Sequence, residues 1–352
     1  MTNEKEKYYQ SHSKLDLIGP QGQDKLGKAK VLVIGAGGLG CPCLLTLATS
    51  GIGTIGIADF DTVSVSNLHR QILFGMDDIG KVKVAVAAGR LWDTNPYIII
   101  NQHEMLVDES NILTLIEQYD IIVDGTDNFA VRYLINDACV YLDKPLVYGA
   151  IYQTEGHVTV FNYEGSATLR CLFAEPGAET YVPSCADVGA YNVATQIIGT
   201  MMANEVVKIV VGATAVLANK LLTFDALTSA TRSVTYRAKP ESREGSKARF
   251  EVERAAVDIS IEDFLKLDKD AYQLIDVREE WERDEFNIGG LHLPLGLIST
   301  IAAPALSKQD KLIIYCEQGT RSASAVQYLR KAGFSKAVSL KGGIKAYRLL
   351  TA

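Results

Sequence analysis

The stretch KVLVIGAGGLG, residues 30–40, decides the fold of the first part of the chain. Its apolar run predicts a buried strand, and its glycines predict a tight turn into a helix over residues 40–50. Gly35, Gly37 and Gly40 follow the G-x-G-x-x-G spacing, in which the backbone approaches a phosphate at the positive N-terminus of a helix. The loop therefore predicts a nucleotide site at the edge of a sheet. Taken by itself, it is most typical of a nicotinamide or flavin dinucleotide.

Apolar runs alternate with helical patterns on the C-terminal side of this loop. Strands are predicted at residues 54–59, 97–103, 120–124 and 145–148, with helices between them at residues 81–91, 112–119 and 128–141. Such alternation predicts a parallel sheet with helices on both faces. Residues 157–162 and 221–238 favour antiparallel strands around a long helix at residues 192–211. The first domain is therefore predicted to be α/β and Rossmann-like, with a mixed sheet.

A polar stretch, KPESREGSK at residues 239–247, shows no apolar period and has the composition of a linker. Beyond it the α/β pattern restarts on a smaller scale, with strands predicted at residues 272–276, 311–315 and 337–340 and helices at residues 259–267 and 321–332. A chain of 352 residues is too long for one ordinary domain. We therefore predict two α/β domains, residues 1–238 and 255–352, joined by a linker at residues 239–254.

The composition argues against several classes of function. The formal net charge of -7 lacks the basic excess of a nucleic-acid-binding protein. The apolar runs are short or interrupted, and the polar N-terminus has no signal-peptide core, so we expect a cytoplasmic protein that contacts no membrane. The six cysteines are scattered along the chain, and in a reducing compartment they are expected to be free thiols.

Polar side chains gather at the predicted carboxyl edge of the first sheet. Asp59 ends the second strand about 20 residues after the glycines, where a carboxylate can bond a ribose hydroxyl. Arg70 and Lys83 suit a triphosphate better than the diphosphate of NAD. Asp127 follows the strand DIIVD and is placed to hold Mg²⁺ on the phosphates. Any one of these groups alone could be a strand-end cap or a solvated charge, but together they favour ATP.

Four segments, VLVIGAGGLGCP, ADFDTVSVSNLHRQ, GKVKV and VDGTDNFAVRYLIN, resemble the ThiF/MoeB/HesA adenylyltransferases, relatives of ubiquitin-activating enzymes. The resemblance spans roughly residues 15–237, and SNLHRQ and TDN are its most specific parts. It implies a homodimer that uses ATP and Mg²⁺ to adenylate the C-terminal glycine of a ubiquitin-like carrier protein. Arg70 would stabilise charge on the phosphates in this transfer. The ATP site implied by the glycine loop and the resemblance comprises Gly35, Gly37, Gly38, Gly40, Asp59, Ser66, Asn67, Leu68, His69, Arg70, Lys83, Asp127 and Asn128.

Two positions depart from the pattern of this family. The family usually has an R-Y-x-R-[QH] segment near its N-terminus, whose second arginine reaches the ATP of the neighbouring subunit. Here Ser11 takes that position, with Lys7 and Lys14 as nearby replacements. Family members also often hold zinc with two C-x-x-C pairs, of which only Cys171 remains, with Thr168 at its partner position. One thiolate does not form a tetrahedral zinc site, so we predict no zinc and an ordinary thiol at Cys171.

Cys185 lies in PSCADVG, just before the predicted long helix. By resemblance it matches the family cysteine that attacks the activated carrier or resolves a mixed disulfide. The thiolate is the nucleophile in such steps, and a helix N-terminus would lower its pKa. The alternative is a partly exposed cysteine without a role. Cys41, Cys43 and Cys139 lie in predicted helices, where packing in the core is the expected role.

Cys316 follows the strand KLIIY and opens the loop CEQGTRS, which leads into a helix. A thiol at a strand end, surrounded by successive amides and backed by Arg321, is a suitable anionic nucleophile. Together with LIDVRE, IGGLHLPL and LKGG, this loop resembles the rhodanese family over roughly residues 255–352, which implies a persulfide on Cys316. A phosphatase is the competing interpretation, but the short loop suits a sulfur atom better than a phosphate group.

Two such domains in one chain resemble molybdopterin-synthase sulfurylases and thiamine-pathway ThiF proteins that carry a rhodanese domain. We expect the first domain to adenylate a sulfur-carrier protein. The Cys316 persulfide, charged by a cysteine desulfurase or thiosulfate, would then attack the acyl-adenylate and yield a thiocarboxylate. The linker would raise the local concentration of one site at the other. Two alternatives remain: a nicotinamide-dependent oxidoreductase, and a degenerate domain that only docks a carrier beside an active rhodanese.

Overall fold

The computed structural model describes residues 2–109, 111–173, 189–298, 306 and 311–351. The chain divides into two compact units. The first comprises Met1–Asp108 and Ile116–Lys247, and the second comprises Glu109–Leu115 and Ala248–Ala352. Each unit has its own sheet and its own hydrophobic core, which is the anatomy of separate α/β domains.

The sheet of the first unit has eight strands within the described residues and combines a parallel part with an antiparallel part. Its strands are β1 (Lys30–Ile34), β2 (Thr54–Asp59), β3 (Ile99–Glu104), β4 (Ile121–Asp124), β5 (Leu146–Tyr152), β6 (Glu155–Phe161), β7 (Lys220–Asp225) and β8 (Ala230–Thr235), in the spatial order β3-β2-β1-β4-β5-β6-β7-β8. The first five in this order run parallel, and the pairs β5–β6, β6–β7 and β7–β8 are antiparallel. The predicted Rossmann-like mixed sheet is confirmed.

Strand β1 lies in the middle of the parallel part, between β2 and β4. Its residues Val31, Leu32 and Val33 point to alternate faces and are all fully buried, so both faces of the sheet are covered there. This double burial is the reason that the strand reads as a continuous apolar run and not as an alternating pattern. On one face, the long helix Asn192–Val211 packs against the helix Gly40–Ser50 and against β5 and β6.

Helices connect and cover the strands of the first unit. Their bounds are Thr2–Tyr8, Gln10–Ser13, Gly19–Lys28, Gly40–Ser50, Lys83–Thr94, Phe129–Tyr141, Leu169–Leu172 and Asn192–Val211, with Ile112–Glu117 where the units divide. Short 3-10 turns occur at Val65–Asn67 and Met76–Asp78. In the part of the chain that the structure describes, no helix is both long enough and apolar enough to cross a membrane.

The second unit is smaller and has an all-parallel sheet. Its strands are β9 (Asp258–Ile259), β10 (Gln273–Asp276), β11 (Leu291–His292), β12 (Leu312–Tyr315) and β13 (Val338–Leu340), in the order β11-β10-β12-β13-β9. Its helices are Ile261–Leu265, Glu280–Glu285, Thr320–Lys331 and Gly343–Thr351, with 3-10 turns at Lys269–Ala271 and Leu295–Leu297. Ile314 packs into one apolar cluster, and Ile313 and Tyr315 pack into another, so both faces of β12 are covered.

The segment predicted as a linker, residues 239–254, is helical in the structure. A helix, Pro240–Val257, covers almost all of it. Proline is favoured at the first position of a helix, and the glutamate, arginine, lysine and alanine residues that follow are good helix formers. Ser246 is buried in this helix, and the Asn136 amide donates to its hydroxyl at 3.4 Å. The composition did not predict this helix because most of its residues are polar and leave no clear apolar period.

Candidate active sites

The glycine loop between β1 and the helix Gly40–Ser50 contains two glycines that no larger residue fits. Gly35 has a φ of 95°, in the left-handed region, and a Cβ atom on it would lie 2.8 Å from the carbonyl oxygen of Gly125. A Cβ atom on Gly40 would lie 1.9 Å from the carbonyl oxygen of Gly35. The turn therefore packs backbone against backbone, both within itself and against the residue that follows β4.

A cavity of about 440 Å³, here called the glycine-loop cavity, opens at the carboxyl ends of β1, β2 and β4. Among the residues predicted for the ATP site, its lining includes Gly35, Gly37, Gly38, Asp59, Asn67, Arg70, Lys83, Asp127 and Asn128. Gly40, Ser66, Leu68 and His69 lie outside the lining that the described residues form. Most of the predicted nucleotide-binding residues are thus brought together, in a volume typical of small-molecule sites. Their role in binding stays a prediction.

The Asp59 carboxylate fixes the backbone at the floor of this cavity. One oxygen accepts the N–H of Ala36 at 2.7 Å, and the other accepts the N–H of Asp61 at 2.8 Å. The first bond ties the glycine loop to the end of β2, and the second fixes the turn that follows β2. Each carboxylate oxygen keeps a further lone pair, so a bond to a ribose hydroxyl is still available to it.

Lys83 is a buried cation in the lining of the cavity. Only 4 % of its side chain is exposed, and its ammonium donates to the Asp61 carboxylate at 2.8 Å. A charge in such a partly desolvated cleft interacts with an anionic ligand more strongly than a fully hydrated one does. Lys83 is therefore well placed to contact a phosphate, once a phosphate oxygen takes the place of the Asp61 carboxylate.

Arg70 is the second cation of the lining, and its neighbours in sequence orient it. Its guanidinium donates to the Asn67 side-chain oxygen at 3.0 Å and to the Ser66 carbonyl oxygen at 3.1 Å. His69 Nε2 lies 2.9 Å from the same guanidinium. Ser66 and His69, predicted to contact ATP, thus contact Arg70 in this structure, which gives the SNLHRQ segment a supporting function around the arginine.

Asp127 and Asn128 are exposed residues that follow β4. The Asn128 side-chain oxygen accepts the N–H of Val131 at 3.3 Å and so caps the helix Phe129–Tyr141. The exposed Asp127 carboxylate beside the glycine loop suits Mg²⁺, which keeps several waters and is usually held by one or two carboxylates plus phosphates. Among the described residues, no group of three or more acidic, histidine or cysteine side chains forms an all-protein metal site.

Arg132 also lines the cavity, although the sequence did not single it out. Its guanidinium carbon lies 5.6 Å from the Phe129 ring centre and 4.9 Å from the Tyr148 ring centre, and it donates to the Tyr148 hydroxyl at 2.7 Å. It lies four residues after Asn128, and residues at i and i+4 share a helix face, so the spacing was a usable signal. Gln71, Thr126 and Thr195 are further lining residues that sequence reasoning missed.

Asp124 is a buried acid that shapes the turn between β4 and Asp127. Its carboxylate accepts the N–H of Thr126 at 3.0 Å and the Thr126 hydroxyl at 2.7 Å. Burial raises the pKa of this carboxyl, although Arg132 and the bonds from Thr126 act in the opposite direction. These bonds hold the turn that presents Asp127 to the cavity.

Three cysteines of the first unit are fully buried, as the predicted packing role requires. Burial raises the pKa of Cys41 to about 12, and it also raises the pKa of Cys43 and of Cys139. Cys185 lies outside the described residues, so its proposed part in catalysis stays a prediction. Ser11 is exposed in the helix Gln10–Ser13.

Cys171 differs from the ordinary thiol that the sequence predicts. It is buried, and its sulfur accepts the N–H of Thr168 at 3.4 Å and the N–H of Lys239 at 3.3 Å. Burial raises the pKa of this thiol, but hydrogen bonds from Thr168, Lys239 and Ser242 outweigh burial, and the net pKa lies below the usual value. The sulfur thus joins the helix Leu169–Leu172 to the start of the helix Pro240–Val257. The absence of zinc remains a prediction.

Cys316 directly follows β12 and opens the Cys316 loop, residues 316–322. It is 1 % exposed, and its sulfur accepts the N–H of Gly319 at 3.1 Å. Gly319 has a φ of 89°, which lets the chain turn back over the sulfur before the helix Thr320–Lys331 begins. The sulfur therefore lies against a backbone donor next to a helix N-terminus, a setting in which proteins hold anions.

Ion pairs hold the Cys316 loop from outside. Arg321 donates through both of its terminal nitrogens to the Glu282 carboxylate, each at 2.5 Å. Arg278 is buried and donates to the Asp276 carboxylate at 3.0 and 2.9 Å and to the Glu317 carboxylate at 3.3 Å. The sequence predicted Arg321 as a catalytic residue that backs the Cys316 thiol. In the structure its guanidinium anchors the loop to the helix Glu280–Glu285, and a catalytic role for it stays a prediction.

The LKGG segment, residues 340–343, and the first residues of the helix Gly343–Thr351 contact the backbone of the Cys316 loop. The N–H of Ile344 donates to the Cys316 carbonyl oxygen at 2.9 Å, and the N–H of Lys345 donates to the Glu317 carbonyl oxygen at 3.0 Å. A Cβ atom on Gly343 would lie 2.2 Å from the Cys316 carbonyl oxygen. The loop is thus fixed by backbone contacts to a separate turn.

Known proteins resemble both units. A family model described as the ThiF family matches residues 9–245, and a model of the rhodanese-like domain matches residues 261–349. A Mycobacterium tuberculosis protein named probable adenylyltransferase/sulfurtransferase MoeZ is 40 % identical over 360 residues, which cover 96 % of this chain and 92 % of that protein. A sulfur carrier protein adenylyltransferase of Thermus thermophilus is 42 % identical over 244 residues, covering 68 % of this chain and 90 % of that protein.

A solved structure resembles part of the chain as well. Escherichia coli MccB, in a complex with MccA-N7isoASN, matches with a TM-score of 0.60 and 24 % identity, over 67 % of this chain and 73 % of that one. At this level of identity the likeness concerns the fold alone.

Proposed function

This chain belongs to the ThiF family and carries a rhodanese-like domain, and on that basis we propose that it adenylates a ubiquitin-like sulfur-carrier protein with ATP and then loads that carrier with sulfur. The names of its relatives, which include an adenylyltransferase/sulfurtransferase and a sulfur carrier protein adenylyltransferase, support both activities. The observation that carries the proposal is that one chain contains both the cavity lined by Arg70 and Lys83 and the buried sulfur of Cys316.

Adenylation requires charge neutralisation and alignment more than covalent help from the protein. The C-terminal glycine carboxylate of the carrier attacks the α-phosphorus of ATP. The new oxygen–phosphorus bond replaces the bond to the β-phosphate, and pyrophosphate leaves. Arg70 and Lys83 hold the phosphate oxygens, and the glycine loop offers its backbone to them. Magnesium, bound at Asp127, would supply further neutralisation of the phosphates when present.

Sulfur transfer uses the thiolate of Cys316. It attacks the outer sulfur of a donor persulfide or of thiosulfate, and the donor thiolate or sulfite leaves. The outer sulfur of the Cys316 persulfide then attacks the acyl carbon of the carrier adenylate, and AMP leaves. A second thiolate, for which Cys185 is our candidate, attacks the Cys316 sulfur of the resulting acyl disulfide. That attack releases the carrier thiocarboxylate and leaves a disulfide for an external thiol to reduce.

A paired experiment tests the two activities. Lys83→Ala should lose carrier-dependent exchange of pyrophosphate into ATP but keep sulfur transfer from thiosulfate to cyanide. Cys316→Ala should lose sulfur transfer and keep pyrophosphate exchange. The activity that each variant retains shows that this variant is folded. If no ubiquitin-like carrier of the same genome supports exchange by the unaltered protein, adenylation is refuted and the protein only docks a carrier. Loss of both activities in either variant would contradict separate sites.

The remaining partners follow from the same proposal. We infer a homodimer that works in the cytoplasm, with a cysteine desulfurase or thiosulfate as the sulfur donor. The carrier is of the type that serves molybdopterin synthesis, thiamine synthesis, tRNA thiolation or another sulfur pathway. Sedimentation of the purified chain tests the dimer, and a comparison of the two donors at equal concentration tests the source of sulfur.

A further inference from the structure

The buried hydroxyl groups of Ser339 and Ser322 form a hydrogen-bonded series that ends at the Cys316 sulfur. The Ser322 hydroxyl lies 3.5 Å from the Cys316 sulfur, 3.2 Å from the Gly319 carbonyl oxygen and 2.9 Å from the Ser339 hydroxyl. Ser322 belongs to the Cys316 loop, whereas Ser339 lies in the middle of β13. Both serines are 0 % exposed. The second hydroxyl therefore comes from a neighbouring strand and not from the loop that carries the sulfur.

The single proton on each hydroxyl decides which serine donates and which accepts in the bond between Ser339 and Ser322. A serine hydroxyl carries one proton and two lone pairs. Ser339 is fully buried, and the hydrogen-bond partner that the structure gives its hydroxyl is the Ser322 oxygen. A buried hydroxyl proton needs an acceptor, so Ser339 donates to Ser322. The proton of Ser322 is then available for its two other neighbours, Gly319 and Cys316.

An anionic sulfur is the better of these two acceptors. The Gly319 carbonyl oxygen already accepts the N–H of Ala323 at 3.2 Å. Hydrogen bonds to a charged acceptor are stronger than bonds between neutral groups. When Cys316 carries negative charge, the Ser322 proton therefore points to the sulfur. The bond that Ser322 accepts from Ser339 polarises the O–H of Ser322 and makes it a stronger donor to the sulfur, and this gain is lost if Ser339 is removed.

We propose that Ser339 is a positioning residue for sulfur transfer, which acts through Ser322 to direct a hydroxyl proton at the Cys316 sulfur. This inference rests on the proposed function of Cys316. Its effect is largest when the Cys316 sulfur carries negative charge, which is the case before sulfur uptake and when the persulfide is discharged to an acceptor such as cyanide. A nucleophile attacks the outer sulfur, the sulfur–sulfur bond breaks, and the electron pair remains on the Cys316 sulfur, where the Ser322 hydroxyl meets the new charge.

Single-turnover discharge with cyanide measures this effect. The full chain is loaded with thiosulfate, freed of excess reagent and mixed with saturating cyanide, and thiocyanate is followed with time. Ser322→Ala should slow the discharge about tenfold, as the loss of a bond to a charged group would, and Ser339→Ala should slow it by a similar or smaller factor. The matched control is Ser324→Ala, which should discharge at the normal rate. Ser324 lies with Ser322 in the helix Thr320–Lys331, but its hydroxyl bonds to the Thr114 hydroxyl at 3.1 Å.

The double variant separates positioning from a general loss of structure. Because Ser339 acts only through Ser322, the variant that carries both alanines should discharge no more slowly than Ser322→Ala alone. Additive effects, or a normal rate in Ser339→Ala, would overturn the proposal. If Ser339→Ala does not fold, the nearly isosteric pair Ser339→Thr and Ser339→Val replaces it, and equal rates in the two would refute the proposal. An unaltered protein that takes up no sulfur at Cys316 would refute the proposed function itself.

Discussion

The glycine-loop cavity and the Cys316 loop are built to hold anions in opposite ways. In the cavity, the donors are the charged side chains of Lys83 and Arg70, and Lys83 is bonded to a carboxylate that a ligand can replace. Around Cys316, the donors that the described residues bring to the sulfur are a backbone N–H and a buried hydroxyl, while Arg321 is bonded to a carboxylate. A large and highly charged substrate would thus be bound by charged side chains, one of which exchanges its partner on binding. A single sulfur atom is met by donors at fixed positions.

This difference predicts which substitutions reduce the activity of each site. The cavity should depend on individual charges and tolerate small movements of its backbone. The Cys316 loop should depend on the placement of its backbone and on the groups that hold it, even where these groups are distant in sequence. Three substitutions test that contrast, and their expected effects decrease from Lys83→Ala through Gly343→Ala to Glu282→Gln.

Lys83→Ala should reduce carrier-dependent exchange by roughly 100- to 1,000-fold, because it removes a preorganised charge from the phosphate site. The measurement is the initial rate of pyrophosphate exchange at saturating carrier. Lys81→Ala is the matched control, since Lys81 is more exposed and pairs with Asp78 at 3.1 Å away from the cavity lining. Equal losses in the two variants would show that the buried charge has no special part.

Gly343→Ala should reduce sulfur transfer by roughly 10- to 100-fold, because the added methyl group would displace the Cys316 carbonyl and move the sulfur relative to its donors. Exchange of pyrophosphate should stay normal. The control is Gly296→Ala in the same unit, where a Cβ atom would meet nothing within 4 Å. Normal sulfur transfer in Gly343→Ala would contradict the idea that this site depends on a fixed backbone.

Glu282→Gln should weaken the acid sensitivity of the second unit, which is the smallest effect of the three. Burial raises the pKa of Glu282, but hydrogen bonds from Arg321 and the Glu279 N–H outweigh burial and lower it below the usual 4.5. A carboxyl with a lowered pKa adds stability above its unfolded-state pKa, and that stability is lost as the pH falls through the lowered value. The protein should therefore lose free energy of unfolding below about pH 4.5 more steeply than Glu282→Gln does.

Denaturant unfolding of the full chain at a series of pH values, with hydrogen exchange to follow the second unit, provides the measurement. Glu280→Gln, an exposed neighbour in the same helix, is the control and should keep the acid sensitivity of the unaltered protein. Identical pH dependence in Glu282→Gln and the unaltered protein would show that the bond between Glu282 and Arg321 does not hold the loop.

The sequence predicted the parts of both sites that are continuous along the chain. The strand β1, the glycine loop and the turn at Cys316 are local: an apolar run, a set of glycines and a cysteine follow one another within a few residues. The sheet order then brings Asp59, Arg70, Lys83 and Asp127 to the same cavity, as expected from the meeting of strand ends in a parallel sheet.

The parts that the sequence missed depend on contacts between distant segments. Arg132 lines the cavity because of its helix face, and it is held there by Tyr148 from β5. Ser339 reads as an ordinary serine in a strand, and only the pairing of β12 with β13 brings it behind Ser322. The helix Pro240–Val257 was hidden for a different reason, since its polar residues favour a helix by propensity but give no periodic pattern.

The bond between Lys83 and Asp61 means that the cavity contains its own counter-ion before any nucleotide arrives. At this ammonium, nucleotide binding is then an ion exchange, and Lys83 contributes only the difference in free energy between its two ion pairs. A ligand without phosphates, such as a free nucleoside, leaves the internal pair intact and gains nothing from this lysine. The cavity therefore selects for anionic charge at this position, in addition to the shape of the base and sugar.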